Sequence, residues 1–541
     1  MLSDPQISEP APEKYSTARS TAGIAGLSVF SPAAGLAVEM AVAHRFGTSA
    51  AVDAFRIALA VVFLGQQFFV GLLFPNIIVP LFSECRAQGR EIEAWRSAIT
   101  LANLALVPTL MLTALLFARP STVVWILAPG LAPQTHEWAS FFVRWFSLSL
   151  VPFLYGGAAL GLLYSQRIFW TATGAQLLYN VVLAGSILLA GGLLGPSICA
   201  VGVLAGASAF LLLQLARIAP LIPSVRASPR LHTVAERALV RKGARLSLPL
   251  LGSALINQAN GIVAHWSLSA APVGTIAALA YAGRLQRIAS LLPDLLALVL
   301  FPKFSAIAHT ASRDQLQELS TRALRMGLFI ALPIGCVLFA MRVPLVALLF
   351  RHGAFSESAT ISVGLLFGLF LAGMPAGILS VYLANVLYAL EDMWWPMFSS
   401  LASVGVAVAI MPAVATRFRG EGVALTIAGL YWIGALIKAA VLQWKYEAVN
   451  LGEVATSSLK IFPLAAAAAW LGSRAAPIAS RLTGPGIVPL ALELLVGASL
   501  AVVFYALATL MIGTPEALEF ARNLRSQPLL GLNRMRGEFG G

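Results

Sequence analysis

Apolar residues in this chain come in long unbroken runs, and polar and basic residues are concentrated in the gaps between them. The runs fall near residues 20–43, 54–83, 97–118, 139–163, 170–192, 197–220, 245–268, 274–303, 323–341, 358–388, 396–415, 422–443, 459–477 and 486–512. A helix rises 1.5 Å per residue, so about 20 residues cross the ~30 Å hydrocarbon core of a bilayer. The pattern predicts about fourteen transmembrane helices. In lipid, backbone groups are satisfied only in helices or closed barrels, and these runs are far too long for barrel strands. The expected fold class is an all-α polytopic membrane protein.

Composition agrees. Of 541 residues, 59% are hydrophobic and 11% charged, with a mean hydropathy of +0.84. Soluble proteins average about 45–50% apolar and about 25% charged. A large soluble enzyme, a disulfide scaffold and a disordered polymer are excluded. The net charge of +13 is spread through the gaps and forms no patch, so no nucleic-acid partner is expected. It reads instead as a positive-inside bias. With the N-terminus inside, twenty-three Lys and Arg of the gaps and tails fall on the cytoplasmic side and eight outside. Both termini are therefore expected in the cytoplasm. Residues 1–17, with Pro5, Pro10 and Pro12, lack a basic-then-apolar leader and read as a cytoplasmic tail. Cys85, Cys199 and Cys336 have neither metal-site nor CxxC spacing. No P-loop, HExxH, G-x-S-x-G or acidic metal cluster occurs. No cofactor, metal or catalytic residue is expected. The chain reads as a transporter, not an enzyme, and any uphill step draws on an ion gradient or membrane potential.

The two halves match in order at an offset near 222 residues. Val79-Pro80-Leu81-Phe82-Ser83 meets Phe301-Pro302-Lys303-Phe304-Ser305. Val123 to Leu127 meets Leu345 to Leu349, and Leu162-Leu163-Tyr164 meets Val386-Leu387-Tyr388. Six spans separate the copies, so the halves share one topology. The expected organisation is a tail (1–17), a six-helix lobe (18–222) and a basic cytoplasmic linker (223–244). A second, parallel six-helix lobe (245–446), helices thirteen and fourteen (447–515) and a cytoplasmic tail (516–541) follow. In such proteins the substrate site lies between the lobes near the midplane.

The run Gly35…Glu39…Arg45-Phe46-Gly47…Asp53-Ala54-Phe55…Val79-Pro80…Ser83-Glu84 resembles the first two helices of the MurJ/MviN family. So do Leu127-Ala128-Pro129-Gly130, Tyr281-Ala282-x-Arg284-Leu285, the loop Leu349-Phe350-Arg351-His352-Gly353-Ala354-Phe355 and the turn Tyr388…Asp392…Pro396. The resemblance implies a flippase of the multidrug/oligosaccharidyl-lipid/polysaccharide exporter superfamily. It would move undecaprenyl-pyrophosphate-linked peptidoglycan precursor, lipid II, between leaflets of the bacterial inner membrane. It also implies fourteen helices, a cationic central cavity and a lipid-tail groove in the last two helices. The implied partners are a lipid-linked oligosaccharide, membrane lipids and cell-envelope polymerases. The chain departs from the family's first-helix pattern R-x-x-G-x-x-R-[DE]. Pro32 and Val38 stand at the arginine positions, while Gly35 and Glu39 are kept. Gln66-Gln67 replaces a basic pair, and Gly283 replaces an acid. A cavity with fewer cations favours a less anionic surface-polysaccharide precursor as the rival cargo.

Charges inside a membrane cost several kcal/mol, which makes each one a functional candidate. Arg284 and Arg287, one turn apart in span eight, either clamp a phosphate or form a lipid-headgroup or interhelix structural pair. Asp53 and Arg56, also one turn apart, form either a local ion pair or part of a gate. No basic residue stands one helical turn from Glu39 in the sequence, and it is read as pairing with a cavity arginine or taking up a proton. Asn257 and Gln258 suit sugar hydroxyls or serve as glue between helices. Lys438 is expected to snorkel to the interface. Two other readings keep the fold: an ion-coupled exporter of small molecules, and a non-transporting scaffold for cell-envelope synthesis. Spans thirteen and fourteen are surplus for a soluble cargo and favour the lipid-linked one.

Overall fold

The computed structural model describes residues 17–222, 234–308, 312–483 and 486–526. Every regular element among them is helical. The first half opens with α1 (Thr17–Phe46) and α2 (Ala50–Gln66), which passes through a π-helical turn (Gln67–Leu73) into α3 (Phe74–Ala87). It continues with α4 (Glu91–Ala118), α5 (Pro120–Leu127), α6 (Pro133–Ser147), α7 (Leu150–Ser165), α8 (Trp170–Leu194) and α9 (Ile198–Ile218). The second half holds α10 (Val234–Leu268), α11 (Thr275–Ala308), α12 (Arg313–Ala340), α13 (Arg342–Phe350), α14 (Glu357–Ala389) and α15 (Trp394–Trp444). Then come α16 (Leu451–Thr483), α17 (Ile487–Ile512) and α18 (Pro515–Ser526). Residues 1–16, 223–233 and 527–541, which hold most of both expected tails and half of the expected linker, lie outside the described residues.

The chain is an all-α, multi-pass membrane protein. Large apolar side chains cover its surface: Leu189, Leu193 and Met511 are 85%, 88% and 88% exposed, which only lipid makes favourable. By length and composition, eight helical stretches among the described residues are fit to cross a bilayer, or nine if the bent pair α6–α7 is one span. Two of these stretches each hold more than one apolar run. Residues 173–221, which hold α8 and α9, count as one stretch. So does α15, although its backbone breaks at Arg419 (φ 47°, ψ −132°) into two legs.

The chain forms two compact units. Unit 1 comprises residues 1–41, 65–117 and 145–251; unit 2 comprises 42–64, 118–144 and 252–541. In unit 1, α7 packs on α3 and α9 through small residues. A Cβ on Gly161 would come within 3.0 Å of the Phe74 carbonyl oxygen, and one on Gly157 within 2.5 Å of that of Phe69. Such close backbone approach is how helices associate where lipid offers no hydrophobic gain. Phe153 fills the adjoining space, its ring 5.7 Å from both Tyr179 and Phe210. Gln66 donates to Gln176 Oε1 at 2.7 Å, so one amide of the Gln66-Gln67 pair ties α2 to α8.

In unit 2, α11 packs on α14, α14 on α15, and α12 on α16. Tyr382 Oη donates to the Pro293 carbonyl and Asn385 Nδ2 to that of Ala297, both at 3.3 Å, fixing α14 against α11. α16 and α17 meet at Gly472 and Gly497, where a Cβ on either would overlap the other's backbone.

Candidate functional site

Within unit 2, segments from the two halves of the sequence close on each other through main-chain atoms. The Ala354 N–H donates to the His44 carbonyl at 2.8 Å. Gly353 (φ +63°) lies directly on the His44 carbonyl, and Gly47 (φ +58°) lies so close that a Cβ would be 2.5 Å from the Ala354 oxygen. Tyr281 Oη, fully buried, donates to the Gly47 carbonyl at 2.9 Å. The Tyr281 ring packs 5.1 Å from Phe350 and 5.6 Å from Phe355.

Asp53 anchors this closure. It is 4% exposed, and its Oδ2 and Oδ1 accept from the N–H groups of Gly274 and Ala277 at 2.6 and 2.7 Å. Those groups are the N-cap and third residue of α11, the two donors that a capping box satisfies. Gly274 has no side chain with which to cap, so Asp53 does it from 221 residues away. It stands also in the first turn of α2, where a negative charge suits the helix dipole. Both carboxylate oxygens accept from α11, and Arg56 lies within electrostatic reach of Asp53. Arg56, buried, stacks over Tyr281 and Phe55 with its guanidinium 5.1 and 5.4 Å from the ring centres. Sequence reasoning left Tyr281 and Gly274 without roles. The readable signal was a glycine N-cap with no capping side chain nearby.

The overlap at Gly47 predicts its own test. Gly47→Ala should lower the thermal inactivation temperature in detergent by several degrees, from about 1–2 kcal/mol of left-handed strain plus the overlap. Gly89→Ala is the control, because Gly89 also has a positive φ (+69°) but nothing within 4 Å of a Cβ. Equal effects of the two would show that only backbone strain matters.

One turn beyond Tyr281, α11 turns polar. Arg284 is half-buried, Arg287 exposed and Asp294 exposed. At offsets of three, seven and ten residues from Arg284, Arg287, Leu291 and Asp294 share one face with it. Asp294 stands ten residues, about 15 Å, from Arg284, too far for direct pairing. Tyr431 of α15 lies within electrostatic reach of Arg287 and Asp294. Gln258 of α10 is half-buried, and the Asn257 side chain lies outside the described residues. Glu39, 6% exposed, belongs to unit 1, whereas Arg284, Arg287, Gln258, Asp53 and Arg56 belong to unit 2.

A family model described as lipid II flippase MurJ matches residues 42–511. The chain belongs to the MurJ family. A probable lipid II flippase MurJ of Rhizobium meliloti (strain 1021) is 27% identical over 437 residues, covering 78% of this chain and 80% of the relative. The lipid II flippase MurJ of Burkholderia cenocepacia is 26% identical over 388 residues, covering 69% and 73%. Among solved structures, a lipid II flippase MurJ in an inward closed conformation superposes with a TM-score of 0.71 at 18% identity, covering 90% of this chain and 99% of that one. An inward-facing multidrug resistance MATE family transporter shares the fold more distantly, with a TM-score of 0.61 at 14% identity, covering 78% and 95%.

The MurJ-family chain holds a second polar cluster in unit 2. Arg322 pairs with Glu519 and Arg325 with Glu516, each at 2.6 Å, and Ser457 donates to Glu516 at 2.7 Å. A cleft of about 390 Å³ opens beside them, also lined by Asp314 and Glu453. Its arginines are spent on these carboxylates, so an anionic cargo would have to displace them. The pairs dock α18, whose Phe520 packs 6.5 Å from Phe329. Burial works against the charged form of Glu516, but hydrogen bonds from Ser457, its own backbone N–H and Arg325 outweigh it and hold the carboxyl below the usual glutamate value. A depressed carboxyl stabilises above its unfolded value, about 4.3, and that stability is lost as pH falls through the lower folded value. Hydrogen exchange should therefore show α18 protected near neutrality and released below about pH 4. Glu516→Gln should loosen it at neutral pH, and equal protection in the variant would sink this account.

Proposed function

We propose that this chain flips lipid II from the inner to the outer leaflet of the bacterial inner membrane. One observation carries the reading. α11, 34 residues long and about 50 Å, is enough to span a bilayer, yet its exposed face bears Arg287 and Asp294 beside Arg284. Lipid does not tolerate such a face, so it borders water. A hydrated arginine pair inside a membrane suits a pyrophosphate headgroup, and arginine's planar fork matches phosphate oxygens two at a time. The closure around Asp53 and Tyr281 is the gate on the periplasmic side, and Gln258 and Asn257 line the sugar path. The chain crosses fourteen times, with both termini cytoplasmic, and α16 and α17 hold the lipid tail. Cell-envelope polymerases receive the product. The multidrug transporters share only the fold and give the small-molecule reading no further support.

The test is complementation. Cells depleted of their own lipid II flippase should grow when this chain is expressed. Normal insertion without rescue would move the cargo to another lipid-linked glycan. For orientation, a membrane-impermeant maleimide applied outside should label Ser358→Cys but not Gln315→Cys, and the reverse pattern would invert the topology.

A further inference from the structure

Lys438 does not snorkel. It stands six residues before the end of α15, near enough to reach the interface, yet it is 6% exposed. Its Nζ turns back along the helix, donating to the Gly434 carbonyl at 3.2 Å and to Ser380 Oγ of α14 at 2.7 Å. Gly434 leaves the room: a Cβ there would meet Lys438 Nζ, Ser403 Oγ and Ser380 Oγ at 3.6, 3.7 and 3.8 Å. Three polar atoms thus converge in the membrane with no carboxylate among them. The neighbouring helices carry titratable groups, among them Arg284, Arg287 and Asp294 on α11, Tyr382 on α14 and Tyr431 on α15, and among the described residues Lys438 hydrogen-bonds only to Ser380 and Gly434. Tyr382 is bonded to Pro293, and Asp392, beyond the helix end, is spent on Lys445 and Tyr446 at 2.9 and 2.6 Å.

The cradle accommodates both protonation states. An ammonium donates to Ser380 Oγ and to the Gly434 carbonyl. A neutral amine keeps its N–H bond to Gly434, while its lone pair accepts the hydroxyl proton of Ser380, because a hydroxyl both donates and accepts. No bond is lost on deprotonation, and no counter-charge holds the proton in place. We propose that Lys438 is a reversible proton-binding site inside the membrane, its ammonium releasing one proton to water and leaving the amine. This goes beyond cargo recognition and holds whichever glycan is carried. It gives the chain a charge that changes within the span, the kind of group through which an ion gradient acts on a transporter.

The test is solid-state NMR of the full chain in liposomes with ¹⁵N-labelled lysine. One Nζ resonance, absent from Lys438→Met, should convert from ammonium to amine between about pH 5 and 10. Ser380→Ala, which keeps the lysine, should displace the midpoint by at least about half a unit. A signal that stays ammonium, or stays amine, across that range overturns the proposal, and so does an unmoved midpoint in Ser380→Ala. In parallel, flipping of fluorescent lipid II should vary at least about threefold across the conversion in the natural chain and be flat in Lys438→Met. An unchanged pH profile in Lys438→Met would overturn the coupling. If the natural chain moves no lipid II, the cargo reading fails while the resonance still decides the proton site.

Discussion

Arg284→Ala should abolish lipid II flipping in liposomes, by at least about a hundredfold, with expression and thermal stability unchanged. The magnitude follows from removing a charge that binds a phosphate where water is scarce, a loss of about 2–5 kcal/mol. The stability forecast follows from its position, half-buried beside the exposed Arg287 and so not packed as core. Arg284→Lys should restore a minor part of the activity, because an ammonium keeps the charge and loses the planar fork. Arg287→Ala should cost less, since its exposed side chain is more fully hydrated. Full transport by Arg284→Ala would remove α11 from the cargo path and leave the flippase reading on family membership alone.

Asp53→Ala should open the closure. Two buried N–H groups, those of Gly274 and Ala277, would lose their acceptors, at about 1–3 kcal/mol each. Hydrogen exchange at these two amides should accelerate by at least about tenfold, and complementation should fail. Asp53→Asn retains one good acceptor and should fall between. The remainder of unit 2 should stay folded, because α11 is also held by α14 through Tyr382 and Asn385. Unchanged exchange at Gly274 and Ala277 would mean that water replaces the carboxylate without loss, and the closure would then rest on Tyr281 and the glycines.

Hydropathy made the fold class legible, because each crossing must hide its own backbone and therefore announces itself in about 20 residues. The family motifs made Arg284 and Asp53 legible as candidates. Their partners were not. Asp53 caps a helix whose first residue is 222 positions away, and no local pattern encodes that pairing. Its i, i+3 spacing to Arg56 pointed to a nearer neighbour and gave no sign of α11, nor of the stacking of Arg56 over Tyr281 and Phe55. Lys438 was misread for a related reason. Distance from a helix end says how far a lysine can reach, while the direction it takes depends on Ser380 and on the space left by Gly434. Nor does periodicity reveal which segments cluster: residues 42–64 and 118–144 fall in one compact unit with 252–541.

The closure at His44, Gly47, Gly353 and Ala354 is written largely in carbonyls and amides, which every residue type carries. Apart from Asp53 and Tyr281, which brace it, the side chains around it can therefore vary without altering its fit. A change at Gly47 or Gly353, where a methyl group would strike backbone, reaches the joint itself. Charged side chains elsewhere in the spans and the backbone of this joint rest on different atoms, so one can be retuned while the other is kept.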